Sequence, residues 1–174
     1  RQVDVGSHKG PQFAGTQVPL LSELFEQCGD KLIYDIEIKG NNIGNTGVEA
    51  AVWKTIQDFG LEKHCMVSSF NPFSVRRFRH IAADAIPTAV IYSNEPDVPI
   101  GFRRGAGRFI AGCPFLKPRH TDLDARTVDR LQTQKGLPII VWTVNSREDY
   151  ERMLALGVKG IISNNPHLFL QPED

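Results

Sequence analysis

The stretch Leu32–Gly40, LIYDIEIKG, decides how this chain is read. Leu32, Ile33, Tyr34, Ile36 and Ile38 are β-branched, aromatic or large aliphatic, and Gly40 with Asn41-Asn42 closes the run, as in a strand bounded by a turn. Strand side chains alternate between faces. Tyr34, Ile36 and Ile38 therefore share one face, and Asp35, Glu37 and Lys39 share the other. A surface strand leaves such charges to water. A strand covered on both faces points them at protein, which is costly unless each is paired or bound. Two readings stay open at this point. One is a ladder in which Lys39 offsets a carboxylate; the other is a site in which a carboxylate holds a metal and the lysine meets an anion.

Outward from this strand the pattern repeats. Cys65–Phe70, Pro87–Tyr92, Pro114–Lys117, Pro138–Val144 and Val158–Ser163 read as further strands. Helical spacing is expected over Val18–Cys28, with Pro19 in its first turn and Gly29 as its stop. A second helix carries Val48, Val52, Thr55, Ile56 and Phe59 inward and ends at Gly60. Asn71-Pro72 is an N-cap and first-turn pair opening a basic helix through Asp84. A short helix lies near Gly107–Cys113, Asp122 or Asp124 caps another, and Ser146 with Asp149 forms a capping box. Ser93–Arg104 is a longer excursion.

Strands alternating with helices imply a parallel α/β sheet, either doubly wound or a (β/α) barrel. No GxGxxG or GxxxxGK[ST] follows a strand, which weakens the nucleotide-binding open sheets. Glu37 and Lys39 near one strand end, and Trp142 near another, fit a barrel, where function gathers at C-terminal strand ends.

Composition narrows the functional classes. The 174 residues carry 20 Lys+Arg and 20 Asp+Glu, a balance that offers no basic footprint for nucleic acid. No apolar run reaches the roughly 20 residues needed to span a bilayer. Cys28, Cys65 and Cys113 are far apart and lack CxxC spacing, the pattern of reduced core thiols. The expectation is a single domain over 1–174, cytoplasmic, whose N-terminal region is missing.

Several segments resemble the glycerophosphodiester phosphodiesterase family: FAGTQVPLLSELFEQC (13–28), IEIKG (36–40), VSSFNP (67–72), IPTAVIY (86–92), KPRHTDL (117–123), VWTVN (141–145) and GVKGIISNNP (157–166). The resemblance implies a TIM-type barrel, here about six of eight strands. It also implies metal-dependent hydrolysis of glycerophosphodiesters to an alcohol and glycerol 3-phosphate, with Mg²⁺ or Ca²⁺ as cofactor. Glu37 is similar to the family's metal-binding glutamate, Lys39 to its phosphate-contacting catalytic lysine, and Trp142 to an aromatic pocket wall. Phe70, His120 and Asn145, at other strand ends, are the remaining candidate substrate contacts. The family's His-Arg-Gly, Glu-x-Asp and His-Asp motifs do not occur, and Asn164 stands where an acidic residue is usual. Metal ligands are therefore incomplete, and the isolated chain is expected to be inactive.

Two other classes stay open: a non-catalytic relative that binds a phosphorylated ligand or partner, and an aldolase-like lyase using Lys39 as a Schiff-base amine. Arg76, Arg77 and Arg79 read as a solvated helix face. His8, His64 and His80 read as surface residues, and Trp53 as packing.

Overall fold

The computed structural model describes residues 3–96 and 98–169. Among these residues six strands follow one another: β1 (Tyr34–Glu37), β2 (Cys65–Ser69), β3 (Thr88–Tyr92), β4 (Phe115–Pro118), β5 (Ile140–Val141) and β6 (Gly160–Ile161). β1 to β4 pair in parallel and in chain order, and β5 pairs with β6. Parallel bridges Leu116↔Ile139 and Arg119↔Trp142 carry the pairing from β4 to β5. Parallel neighbours need crossovers, and these contain α2 (Val48–Asp58), α3 (Pro72–Ile81), α4 (Arg108–Ala111), α5 (Ala125–Val128) and α6 (Arg147–Ala155); α1 (Leu21–Cys28) precedes β1. A doubly wound sheet reverses strand order at a switch point. This order runs straight through, which is the incomplete (β/α) barrel expected.

Helices cover one face. Tyr34, Ile38 and Val67 pack with Phe25, Ile56 and Phe78 from α1, α2 and α3. Val90, Leu116 and Val141 pack with Val75, Val128 and Met153. The opposite face holds Asp35, Glu37, Ser68, Ala89, Ile91 and Lys117. Ala89, Ser68 and Lys117 are nonetheless buried, so the strands curl around them as in a barrel. Among the described residues β1 has a partner on one side only, and there Asp35 and Glu37 stay exposed.

Capping follows the sequence closely. Asn71 Oδ1 accepts from the amides of Phe73 (3.0 Å) and Ser74 (3.4 Å). Ser146 Oγ accepts from the Asp149 amide at 3.2 Å and donates to its carboxylate at 2.8 Å. Asp124, rather than Asp122, caps α5 through the Thr127 amide; Asp122 instead accepts from the Asn94 amide.

Several expectations are corrected. Pro19 lies outside α1, because the Leu20 N–H is capped by Glu23 Oε2 at 2.8 Å. The basic helix stops at Ile81, since Ala83 and Asp84 take positive φ. Val48 is 42 % exposed while Glu49 is 1 % exposed, because Ser74 and Arg77 draw the Glu49 carboxylate inward. The arginine face is not uniformly solvated. Arg76 is exposed, but Arg77 is spent on Glu49, and Arg79 on Asp84 and the α4 C-terminal carbonyls. β5 is shorter than Pro138–Val144 because Pro138 has no N–H and the Ile139 amide is taken by Gln132 Oε1 at 3.1 Å.

Candidate active site

At the C-terminal strand ends a cleft of about 720 Å³ opens, large enough for a small organic phosphate. Its lining includes Lys39 and Ile43 after β1, Ser69 at the end of β2 with Phe70 and Asn71 beyond it, Ser93 and Phe102 after β3, Arg119 after β4 and Trp142 after β5. Lys39 reaches it because β1 ends two residues earlier and Gly40 (φ 149°) turns the chain away. The Lys39 ammonium has no hydrogen bond or ion pair among the described residues. Lys39 is thus a free cation, not the partner of a buried carboxylate.

The counterion of Asp35 comes from elsewhere. Lys117 crosses from β4, 1 % exposed, and its ammonium bonds both Asp35 carboxylate oxygens and Ser68 Oγ, the last at 3.0 Å. Burial pulls the Lys117 pKa below its usual value, against the hydrogen bond and charge of Asp35 and the charge of Glu37. Asp35 is therefore committed and does not assist Glu37. The Glu37 carboxylate has no hydrogen-bonded partner among the described residues.

That leaves one hard oxygen ligand. Mg²⁺ and Ca²⁺ take six or more oxygens, and no three His, Cys, Asp or Glu side chains among the described residues are grouped as a metal site. The residues present do not fit a divalent ion by themselves.

Trp142 forms a wall of the cleft, its ring edge-on to Phe70 with centroids 5.4 Å apart. Its Nε1 donates to the Lys117 carbonyl at 2.8 Å, so the same ring also ties β5 to β4. Lys39, Phe70 and Trp142 thus come together. His120 and Asn145 do not join them. The His120 ring lies against Asp149 Oδ1 at 3.3 Å and Arg152 Nη2 at 3.1 Å, because the turn after Pro118 points it back toward α6. Burial lowers its pKa, with Asp149 opposing. Asn145 Oδ1 accepts from the Asn164 amide at 2.9 Å, stitching the end of β5 to the end of β6. Neither lines the cleft, and both make internal links.

Arg119 was not singled out by sequence reasoning, yet it places a second cation in the cleft, paired with Glu95. Its signal was the KPRH segment at a strand end, masked there by His120. Asn71 and Phe102 also line the cleft; Asn71 is legible as a cap and a strand-end residue but not as a candidate contact, and Phe102 lies in the excursion whose path depends on tertiary contacts.

A basic and aromatic cleft at the C-terminal ends of an incomplete (β/α) barrel defines a barrel-type site for an anionic small molecule. The chain belongs to the glycerophosphoryl diester phosphodiesterase family, whose sequence profile matches residues 1–168. It is 29 % identical to a glycerophosphodiester phosphodiesterase of Caldanaerobacter subterraneus, over 98 % of this chain and 68 % of that protein. Its fold matches the glycerophosphodiester phosphodiesterase of Agrobacterium tumefaciens (16 % identity, TM-score 0.71, 95 % of this chain and 67 % of that one). It also matches an Oleispira antarctica phosphodiesterase solved with the product sn-glycerol-3-phosphate (20 % identity, TM-score 0.69, 96 % and 66 %). The chain thus spans about two thirds of these relatives.

Proposed function

We propose that this chain supplies the phosphate-binding part of a metal-dependent phosphodiesterase that hydrolyses glycerophosphodiesters to an alcohol and glycerol 3-phosphate. The observation that carries the reading is the Lys39 ammonium, without a partner among the described residues, in an aromatic-walled cleft; Glu37 lies two residues before it on the same strand face, outside the cleft lining. A cation that meets no protein anion is suited to the charge that grows on a phosphoryl group under attack by water. Arg119, held by Glu95, adds a donor fork that matches phosphate oxygens. Phe70 and Trp142 give the organic part of the diester a wall. Glu37 would be one ligand of the divalent ion. The Oleispira relative holds glycerol 3-phosphate, which supports the same product here.

Hydrolysis also requires a proton taken from water and one given to the leaving oxygen, steps to which positioned groups contribute about 10²–10⁴-fold. Among the described residues no histidine lines the cleft. The 174-residue chain is therefore inactive by itself. The test is glycerol 3-phosphate release from glycerophosphocholine with Mg²⁺ or Ca²⁺, by this chain and by the chain extended at its N-terminus to the length of its relatives. Activity in the longer form alone, lost in Lys39→Met with unchanged melting, is the expected result. Equal turnover by both forms overturns the division of labour.

A further inference from the structure

The loop Gly40–Gly47, GNNIGNTG, follows Lys39 directly and contributes Gly40, Asn41 and Ile43 to the cleft. It has almost nothing of its own to hold its shape, its internal link being Gly47 N to Asn45 Oδ1 at 2.9 Å. Three of its backbone carbonyls are instead held by two side chains of α3 and its cap. Arg77 Nη1 donates to the Ile43 carbonyl at 2.5 Å, and Asn71 Nδ2 to the carbonyls of Asn42 (2.8 Å) and Gly40 (3.3 Å).

Arg77 is itself fixed from behind. Glu49 Oε1 receives Arg77 Nη2 at 2.7 Å, Arg77 Nε at 3.1 Å and Ser74 Oγ at 2.7 Å. Glu49 is 1 % exposed, and its other oxygen, Oε2, has no hydrogen-bond partner among the described residues. A carboxylate buried with one oxygen unsatisfied is costly; what the arrangement secures is the direction of a guanidinium whose remaining nitrogen faces the loop.

We propose that Arg77, oriented by Glu49 and Ser74 and aided by Asn71, is a positioning residue that sets the Gly40–Gly47 loop and through it the place of Lys39 and the Ile43 side of the cleft. The inference rests on the reading that Lys39 meets the phosphate. Arg77 does not line the cleft and touches no reacting atom. Lysine cannot replace it, because an ammonium has no planar fork to span a carboxylate and a carbonyl together.

Two variants separate this role from plain stability. Asn71→Asp keeps the oxygen that caps α3 and removes the amide donor to the loop; it also adds a charge to the cleft lining, so it is read by exchange alone. Arg77→Lys keeps the charge beside Glu49. Amide hydrogen exchange on the 174-residue chain is the direct readout. Both variants should speed exchange at residues 41–47 by about tenfold or more while β2 and the middle of α3 keep their protection. In the N-terminally extended chain Arg77→Lys should raise KM for glycerophosphocholine several-fold, with a smaller change in kcat. Unchanged exchange at 41–47 in both variants overturns the clamp, as does faster exchange spread evenly over α2 and α3. If the extended wild type turns over no glycerophosphodiester, the functional reading fails, and the exchange result still decides whether Arg77 holds the loop.

Discussion

Lys117→Met tests the internal charge layer. The substitution keeps an unbranched stem of similar length and removes the ammonium that bonds both Asp35 oxygens and Ser68 Oγ. Removing one partner of a buried pair costs about 3–5 kcal/mol, because the other charge is left behind. Here the stranded group is Asp35, whose side chain is 34 % exposed and regains part of its hydration. Discounting by that third leaves about 2–3 kcal/mol, which for a chain of this length lowers Tm by roughly 4–12 °C. Urea unfolding followed by circular dichroism measures it, with a shifted midpoint at unchanged slope. Asp35→Asn added to Lys117→Met should recover most of the loss, since no charge is then stranded. The lowered Lys117 pKa adds a sign. Between that folded value and the ordinary 10.5 of the unfolded chain, the unfolded state holds more protons, so this group makes stability rise with pH there. Lys117→Met should lose that alkaline rise. A loss below about 0.5 kcal/mol, the range of an ordinary surface substitution, or a double variant no more stable than the single one, would refute the reasoning.

Three further outcomes are expected. Glu49 is pushed up by burial, but the Ser74 and Arg77 hydrogen bonds outweigh this and hold its pKa below 4.5; its stabilisation is present above that value and fades as pH falls through the folded one, so Glu49→Gln should flatten the acid limb of a Tm-against-pH profile. Asp124→Ala removes the α5 cap at Thr127 and should cost about 1 kcal/mol in urea unfolding, whereas Asp122→Ala should loosen the turn at Asn94 without fraying α5. Calorimetry of the 174-residue chain with Ca²⁺ should give a dissociation constant of about 1 mM or weaker, as expected for a site with few charged ligands; micromolar binding unchanged in Glu37→Ala would contradict the ligand assignment.

Much of this protein lies in local chemistry and so was legible without coordinates. Alternation along Leu32–Gly40 put Tyr34 and Ile38 against the helices and Asp35, Glu37 and Lys39 on the other face, because period two is a property of the extended chain. Asn71-Pro72 and Ser146 with Asp149 mark helix starts, because a cap is satisfied within three residues. The segments IEIKG, SSFNP and VWTVN carried family and fold together, and with them Lys39, Phe70 and Trp142 in one cleft. What local pattern does not hold is who pairs with whom across the sheet. Lys117, 82 residues from Asp35, takes the carboxylate that Lys39 might have offset, and so leaves Lys39 free. Glu49 is drawn under α3 by Ser74 and Arg77, against the helical register that pointed Val48 inward. His120, placed at a promising strand end, turns to Asp149 and Arg152 on α6. Each of these is decided by a partner more than 24 residues away, and long-range pairing of charges in a curled sheet depends on strand register and helix placement that exist only once the chain has folded.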